Sequence, residues 1–178
     1  MNIKPIARRL GSTEGVEILE AALVLPVVFM LLLGTVWFGR AFNVYSTVQQ
    51  AAQQGVITAA RSTCGTCTSP NALPTPDAVD SAVVAVLTAS NLGTGSPPIQ
   101  RWQPAFARCP APAPAGLCSN TNHNIWVCSS VLLNSSSQPP QCGSVVSFQY
   151  QFTFDLPFTS LGVQPIVMSA QAQSRMEN

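Results

Sequence analysis

The sequence predicts an α+β protein, in which a long N-terminal helix, transmembrane in its first half, packs on a small antiparallel β-sheet domain that also carries a second, short helix. Three patterns lead to this prediction. An apolar run lies near the start of the chain, apolar residues then recur at three- and four-residue steps, and two later stretches alternate apolar with polar residues. The first two patterns are typical of helices and the third of half-buried strands.

Composition limits the class of protein. The chain has 178 residues, of which 8% are charged, and a net charge of +1, so nothing points to nucleic acid as a partner. Its length allows one modest domain beside the helix. Six cysteines and a single histidine favour disulfides in an oxidising compartment over a metal site.

The apolar run is long enough to cross a membrane. It has no charged residue from Ala21 to Phe38, and a bilayer core about 30 Å thick needs roughly 20 mostly apolar helical residues. Lys4, Arg8 and Arg9 precede it, which predicts a cytoplasmic N-terminus. The alternative is a secretory signal peptide, but such apolar cores are shorter and end at a small-residue cleavage site.

The helical pattern continues past the span and predicts one helix from Val16 to Arg61. Its apolar stripe is Ala41, Val44, Tyr45, Val48, Ala51, Ala52, Gly55, Val56, Ala59 and Ala60. We therefore divide the chain into a basic leader (1–15), a long helix (16–61, spanning the membrane over about 16–38) and an extracytoplasmic α+β domain with disulfides (62–178).

Two carboxylates, Glu17 and Glu20, stand at the entrance of the apolar run. An unpaired carboxylate in lipid costs roughly 2.5 to 3.5 kcal/mol, whereas pairing with an ammonium group of the same or a neighbouring chain offsets that cost. We expect Glu20 to set the axial register of packed helices. The alternative is that both residues lie at headgroup level as favourable charges at a helix N-terminus.

The rest of the chain predicts one more helix and three strands. Asp77 to Leu92 is the helix, capped by Asp77, and capping also explains Asp80. Asn124 to Ser129 is a short strand, whereas Ser144 to Phe154 and Ile166 to Ser174 alternate clearly. The apolar faces of the last two strands belong to the core, and their Gln/Ser/Thr face is solvated or contacts other subunits. We expect an irregular excursion from Ser96 to Leu117 and a loop around His123.

The six cysteines are Cys64, Cys67, Cys109, Cys118, Cys128 and Cys142. Six cysteines allow fifteen full pairings, among which sequence cannot choose. Short loops favour Cys109 with Cys118 and Cys128 with Cys142, which leaves Cys64 and Cys67. That CxxC pair invites a redox or zinc interpretation, but it follows a helix and only one histidine is available, so a structural disulfide is favoured.

The N-terminal third resembles the TadE-like proteins of bacterial tight-adherence (Flp-type) pilus systems. The similarity is carried by Glu20 to Pro26 (EAALVLP), Phe38 to Ala41 (FGRA), Val48 to Ala52 (VQQAA) and Gly55 to Arg61 (GVITAAR), and loosely by the end of the chain, Ser174 to Glu177. It is specific over roughly residues 14–61.

The resemblance implies a pilin-like helix and a pseudopilin or minor pilin. It implies that a prepilin peptidase removes the leader after Gly15, which leaves Val16 as the new N-terminus and Glu20 as the fifth mature residue. Ala21 stands where these relatives commonly have Phe or Tyr. The implied partners are other pilins and pseudopilins, the peptidase, the inner-membrane assembly platform and the lipid bilayer.

The functional prediction is a non-enzymatic, single-pass inner-membrane protein with a periplasmic C-terminal domain, which takes part in assembling an adhesive pilus. The sequence has no phosphate-binding loop, GxSxG or HExxH motif, and no cofactor or metal is expected. The alternatives are a membrane-anchored binding module that does not polymerise and, ranked last, a thiol oxidoreductase using Cys64 and Cys67.

Overall fold

The computed structural model describes residues 13–61, 74–95, 98–110, 118–153 and 165–176. The chain divides into two compact units, one up to Asn43 and one from Val44 onward. The described elements are α1 (Thr13–Ala60), α2 (Pro76–Ala89), β1 (Ile99–Gln100), β2 (Cys118–Asn120), β3 (Trp126–Asn134), β4 (Gln141–Phe152) and β5 (Ile166–Arg175). The predicted α+β class is confirmed, with its long N-terminal helix, short second helix and antiparallel sheet.

Within the second unit, α1 buries the predicted small-residue stripe. Its buried residues are Val44, Thr47, Val48, Ala51, Ala52, Gly55, Val56, Ala59 and Ala60. They recur at three- and four-residue steps, so they form one face of the helix. Tyr45, which was predicted to belong to this face, is exposed. The helix begins three residues before the predicted Val16 and ends one residue before Arg61.

The second helix has a different start and end from those predicted. Its N-cap is Thr75, whose side chain accepts a hydrogen bond from the backbone N–H of Ala78, and Pro76 fills the first turn. Asp77 is therefore a first-turn residue and not the cap. The helix ends at Ala89, well before Leu92, because Asn91 adopts a left-handed conformation with a φ of 54°.

The sheet is built around β4, which has neighbours on both edges. β3 and β1 pair with successive parts of β4, β5 pairs along the length of β4, and β2 extends the sheet beyond β3. All these pairs are antiparallel. The alternation in β4 and β5 predicted both strands to within about three residues at each end, within the usual uncertainty of such boundaries. β3 is longer than the predicted Asn124–Ser129 and continues to Asn134.

One face of the sheet forms the main core with α2 and the second half of α1. Phe148, Val146 and Ile125 are fully or almost fully buried there, together with Val83 and Leu87 of α2. Hydrogen bonds also join α1 to the sheet: the Ser144 hydroxyl donates to the Ala59 carbonyl (3.2 Å), and the Gln49 amide donates to the Ser169 carbonyl (3.0 Å).

The opposite face of the sheet is partly covered, which corrects the expectation that its polar residues are solvated or contact other subunits. Ser147 is fully buried and its hydroxyl donates to the Trp102 carbonyl at 3.0 Å. Val145, Cys128 and Val131 form a second small core, against which Phe106 packs. The segment 101–110 is irregular, as expected, apart from a single bridge between Arg108 and Val131.

Candidate membrane and assembly surface

The first unit presents an exposed apolar helix. In α1 the exposed large apolar residues are Val16, Ile18, Leu19, Leu23, Val24, Leu25, Val27, Val28, Phe29, Met30, Leu31, Leu32, Leu33, Val36 and Phe38. None of the most apolar window of this helix is buried. Residues 15–38 extend for about 35 Å at 1.5 Å per residue, which exceeds the roughly 30 Å of a bilayer core. Among the described residues, α1 is the one candidate membrane span.

An apolar surface of this kind requires a cover. Soluble monomers rarely expose contiguous apolar patches beyond a few hundred Å², and larger ones mark membrane or protein contacts. The surface surrounds the helix, since consecutive residues such as Leu31, Leu32 and Leu33 are all exposed. A helix that is apolar all round is typical of a membrane span or of the interior of a bundle.

The predicted cleavage residues lie inside α1. Gly15 and Val16 follow the helix start at Thr13, so the bond between them is part of the first helical turns. Val16 is 64% exposed, and a side-chain atom added at Gly15 would meet nothing within 4 Å. No described residue therefore crowds this bond from outside the helix, and cleavage stays a prediction.

The two predicted register residues are close together on α1. Glu17 and Glu20 are both exposed, and their three-residue spacing puts them on the same side of the helix. No ion pair joins either carboxylate to a cation among the described residues. An acidic group beside an apolar surface is suited to bind an ammonium or guanidinium group that another molecule supplies. The register role itself stays a prediction.

Aromatic residues and an arginine mark the far end of the apolar run. The Arg40 guanidinium lies 5.8 Å from the centre of the Trp37 ring, a cation–π geometry. Phe38 and Phe42 are strongly exposed beside them. Within the run, the Thr35 hydroxyl donates to the Leu32 carbonyl at 2.8 Å, so its polar group is satisfied by the helix itself. Tryptophan and arginine at the end of an apolar helix are typical of a membrane interface.

The cysteines pair differently from the pairing that short loops favoured. Cys109 is bonded to Cys142 and Cys118 to Cys128, so the preference for Cys109–Cys118 and Cys128–Cys142 was wrong. Strand pairing decides the connectivity. Cys118 lies directly opposite Cys128 in the β2–β3 ladder. The backbone N–H of Cys109 donates to the Ser130 carbonyl, which places Cys109 next to the later part of β3. In that part of β3, Leu132 pairs with Cys142 of β4. Cys64 and Cys67 lie outside the described residues.

The sequence analysis missed a hydrogen bond between His123 and Asp80. The Nδ1 atom of His123 lies 2.6 Å from Oδ2 of Asp80, and the two side chains are 37% and 11% exposed. Asp80 is thus a buried partner of the β2–β3 turn, and the interpretation of Asp80 as a helix cap was wrong. His123 does lie in a turn, as predicted. A separation of 43 residues leaves no local signal for this pair.

Comparison with known proteins found a similarity in the N-terminal part of the chain. Residues 15–56 match the family model described as TadE-like protein. This match confirms the resemblance drawn from Glu20 to Pro26 and the residues after it, and it ends before α2 and the sheet. No curated protein and no solved structure matches the chain significantly.

Proposed function

The chain is TadE-like over residues 15–56, and on that premise we propose that it is a pseudopilin or minor pilin of a Tad-type pilus. In this role it is held in the inner membrane by α1 and takes part, without enzymatic activity, in assembling the pilus. The TadE-like family is associated with Tad pili and is generally non-enzymatic. The observation that carries the proposal is the exposed apolar surface of residues 15–38, which lies within the family match of residues 15–56.

The apolar helix supports a role in two successive environments. Lipid can cover the surface before assembly, and neighbouring helices can cover it afterwards, because both are apolar and neither leaves the side chains in water. The backbone of a helix satisfies its own hydrogen bonds, so neither environment penalises it. A helix used only in water would leave this whole surface exposed.

Glu20 is the residue that we propose sets the axial stagger of neighbouring helices. Cleavage after Gly15 would create an ammonium group at Val16, one helical turn from the Glu20 carboxylate. Because Glu20 has no cationic partner among the described residues, it is available to the ammonium of a neighbouring subunit. A buried charge is tolerated where it is paired and penalised where it is not, so pairing favours one axial stagger of the helices.

The charge distribution favours a cytoplasmic N-terminus and a periplasmic domain from residue 62 onward. Lys4, Arg8 and Arg9 precede the apolar helix, and basic residues are retained on the cytoplasmic side. The disulfides Cys109–Cys142 and Cys118–Cys128 in the second unit agree with an oxidising compartment.

The proposal is tested by locating the protein and its Glu20 variants. Cells producing the wild type, Glu20→Ala or Glu17→Ala are sheared, and the protein is quantified by antibody in the filament and membrane fractions. We expect normal membrane levels for all three proteins and a greater loss from the filaments for Glu20→Ala than for Glu17→Ala, because the Glu20 carboxylate is the one proposed to pair with a neighbouring ammonium group. Normal incorporation of Glu20→Ala would refute the register role.

The same fractionation distinguishes the alternative. A membrane-anchored binding module that does not polymerise would leave the wild type entirely in the membrane and make pilus formation independent of the protein. Deletion of the gene therefore completes the experiment, since a pseudopilin predicts fewer or shorter pili whether or not it leaves the membrane.

A further inference from the structure

A cleft of about 490 Å³ opens beside β3 in the second unit, apart from the TadE-like helix. Its lining includes Gln103, Phe106, Arg108, Trp126 and Ser130. This volume falls within the roughly 300 to 1,000 Å³ of small-molecule sites. We propose that the cleft binds an acidic sugar, a saccharide unit that carries a carboxylate as well as hydroxyl groups.

The cleft lies beside the outer edge of β3, between the two segments that pair with that edge. β2 pairs with the first part of the outer edge of β3, at Cys128, and residues 107–109 pair with a later part, at Val131. Between them β3 has an irregular register, and Ser130 takes a positive φ of 54°. Bulges next to binding sites commonly redirect side chains, and a serine with positive φ is an uncommon conformation found more often at functional sites.

Covalent and hydrogen bonds hold the walls of the cleft. The Cys118–Cys128 disulfide fixes β2 to β3 on one side. On the other side, the Leu132 N–H donates to the Ala107 carbonyl (2.9 Å), the Cys109 N–H donates to the Ser130 carbonyl (3.0 Å), and Cys109 is tied to Cys142. A site preorganised in this way loses less conformational entropy when it binds a ligand.

Unused hydrogen-bond donors indicate the chemistry of the ligand. The side chains of Gln103, Arg108 and Trp126 make no hydrogen bond or ion pair in the part of the chain that the structure describes. The Ser130 hydroxyl is buried and also lacks a partner there. An indole and a guanidinium group only donate, so the cleft suits a ligand with many acceptor oxygens. A peptide, whose own N–H groups need acceptors, fits less well.

The charge and the apolar surface of the cleft further restrict the chemical class of its ligand. Among the described residues that line the cleft, Arg108 is the charged one and none is acidic. A guanidinium group binds a carboxylate through two parallel hydrogen bonds. Phe106 and Trp126 are half-buried and present aromatic surface, on which the C–H face of a sugar ring can pack while its hydroxyls reach the donors. Hydroxyls, a ring face and a carboxylate together describe an acidic sugar.

The test uses the full, oxidised chain in phosphatidylcholine nanodiscs, which present no sugar headgroup. Digalacturonic acid is titrated by calorimetry and by tryptophan fluorescence, with a neutral disaccharide, cellobiose, as the comparison ligand. We expect saturable binding of the acidic disaccharide, with a change in Trp126 emission that the Trp126→Phe variant lacks. Binding of cellobiose should be at least about tenfold weaker, because it cannot form the charge-assisted bonds.

Two arginine variants provide the decisive comparison. Arg108→Gln removes the charge in the cleft, whereas Arg101→Gln removes an equal charge from an exposed residue of the same segment outside the lining. Arg108→Gln should weaken binding roughly tenfold to a hundredfold and Arg101→Gln should leave it unchanged, with circular dichroism confirming that both remain folded. Absence of saturable wild-type binding at about 10 mM, equal binding of cellobiose or equal effects of the two variants would overturn the proposal.

Discussion

Gly55 of α1 has little room for an added atom, because Val83 of α2 and Val146 of β4 lie close to it. A Cβ built on it would lie 2.5 Å from a methyl carbon of Val83 and 3.4 Å from one of Val146. In an open helix, Gly→Ala stabilises by about 1 kcal/mol. Overpacking a close-packed core costs about 1 to 3 kcal/mol, so Gly55→Ala should lower the free energy of unfolding of this unit by up to about 2 kcal/mol.

The same geometry predicts that a smaller residue at Val83 offsets part of the destabilisation caused by Gly55→Ala. Val83→Ala alone should cost about 2 kcal/mol, because Val83 is fully buried and leaves a cavity. It also removes the methyl group that the new Cβ would meet, so the double variant should be more stable than the sum of the single effects by about 1 to 2 kcal/mol. Gly39→Ala is the control, since a Cβ there meets nothing within 4 Å.

Chemical unfolding of the full chain in nanodiscs, followed by near-ultraviolet circular dichroism, measures the stability of the wild type and of the four variants. A Gly55→Ala variant as stable as Gly39→Ala would show that α1 and α2 do not pack as closely as described. Strict additivity of the Gly55 and Val83 variants would refute the reasoning as well, because two residues in direct contact should couple.

Other parts of the molecule yield three more predictions. Asp80→Asn should lower the free energy of unfolding by about 1 to 2 kcal/mol, because it weakens a charge-assisted hydrogen bond to a His123 side chain that is 37% exposed. The control Asp77→Asn, at an exposed position, should change the free energy of unfolding by less than about 0.5 kcal/mol. Equal effects of the two variants would contradict the Asp80–His123 contact. Burial raises the pKa of Tyr150 above its ordinary value of 10.0, against a smaller lowering by a hydrogen bond with the Gly93 backbone, so the unfolded chain loses the tyrosine proton first. The contribution of Tyr150 to stability should therefore be complete below about pH 9 and decline above about pH 10, so that the Tyr150→Phe variant loses less stability over that range. An identical decline in the two proteins would contradict this expectation. Leu31→Lys, at an exposed position of the apolar helix, should disfavour membrane insertion by about 3 kcal/mol without changing the unfolding of the second unit. Alkaline extraction of membranes should therefore release more of this variant than of the wild type. Equal release of the two proteins would refute the membrane role.

Periodicity was sufficient to predict the main elements. The three- and four-residue steps that include Val48, Ala52 and Val56 identified the buried face of α1, and the alternation around Phe148 identified the core face of β4. These patterns are readable because each arises from one element meeting one apolar surface. The family resemblance rested on the same helix, including its exposed apolar half.

Contacts between distant residues were not predictable from local patterns. Cys109 reaches Cys142 because both lie beside the later part of β3, and the short β2 that places Cys118 opposite Cys128 has too few residues for a periodic signal. Asp80 sits in a helix start, where capping explained it, and its actual partner is His123 in a distant turn. Glu20 lacks a cationic partner among the described residues, and the partner that we propose for it would belong to another subunit, which no pattern in this chain could reveal.

The N-terminus of the protein in its natural location tests the role of α1 most directly. Intact-mass spectrometry of the protein from sheared pili and from membranes determines where the chain begins. Our proposal predicts a chain that starts at Val16, directly after Gly15, in the assembled fraction or in the membrane complex that builds it. A protein that keeps Met1 in every fraction and never associates with pilus components would contradict it.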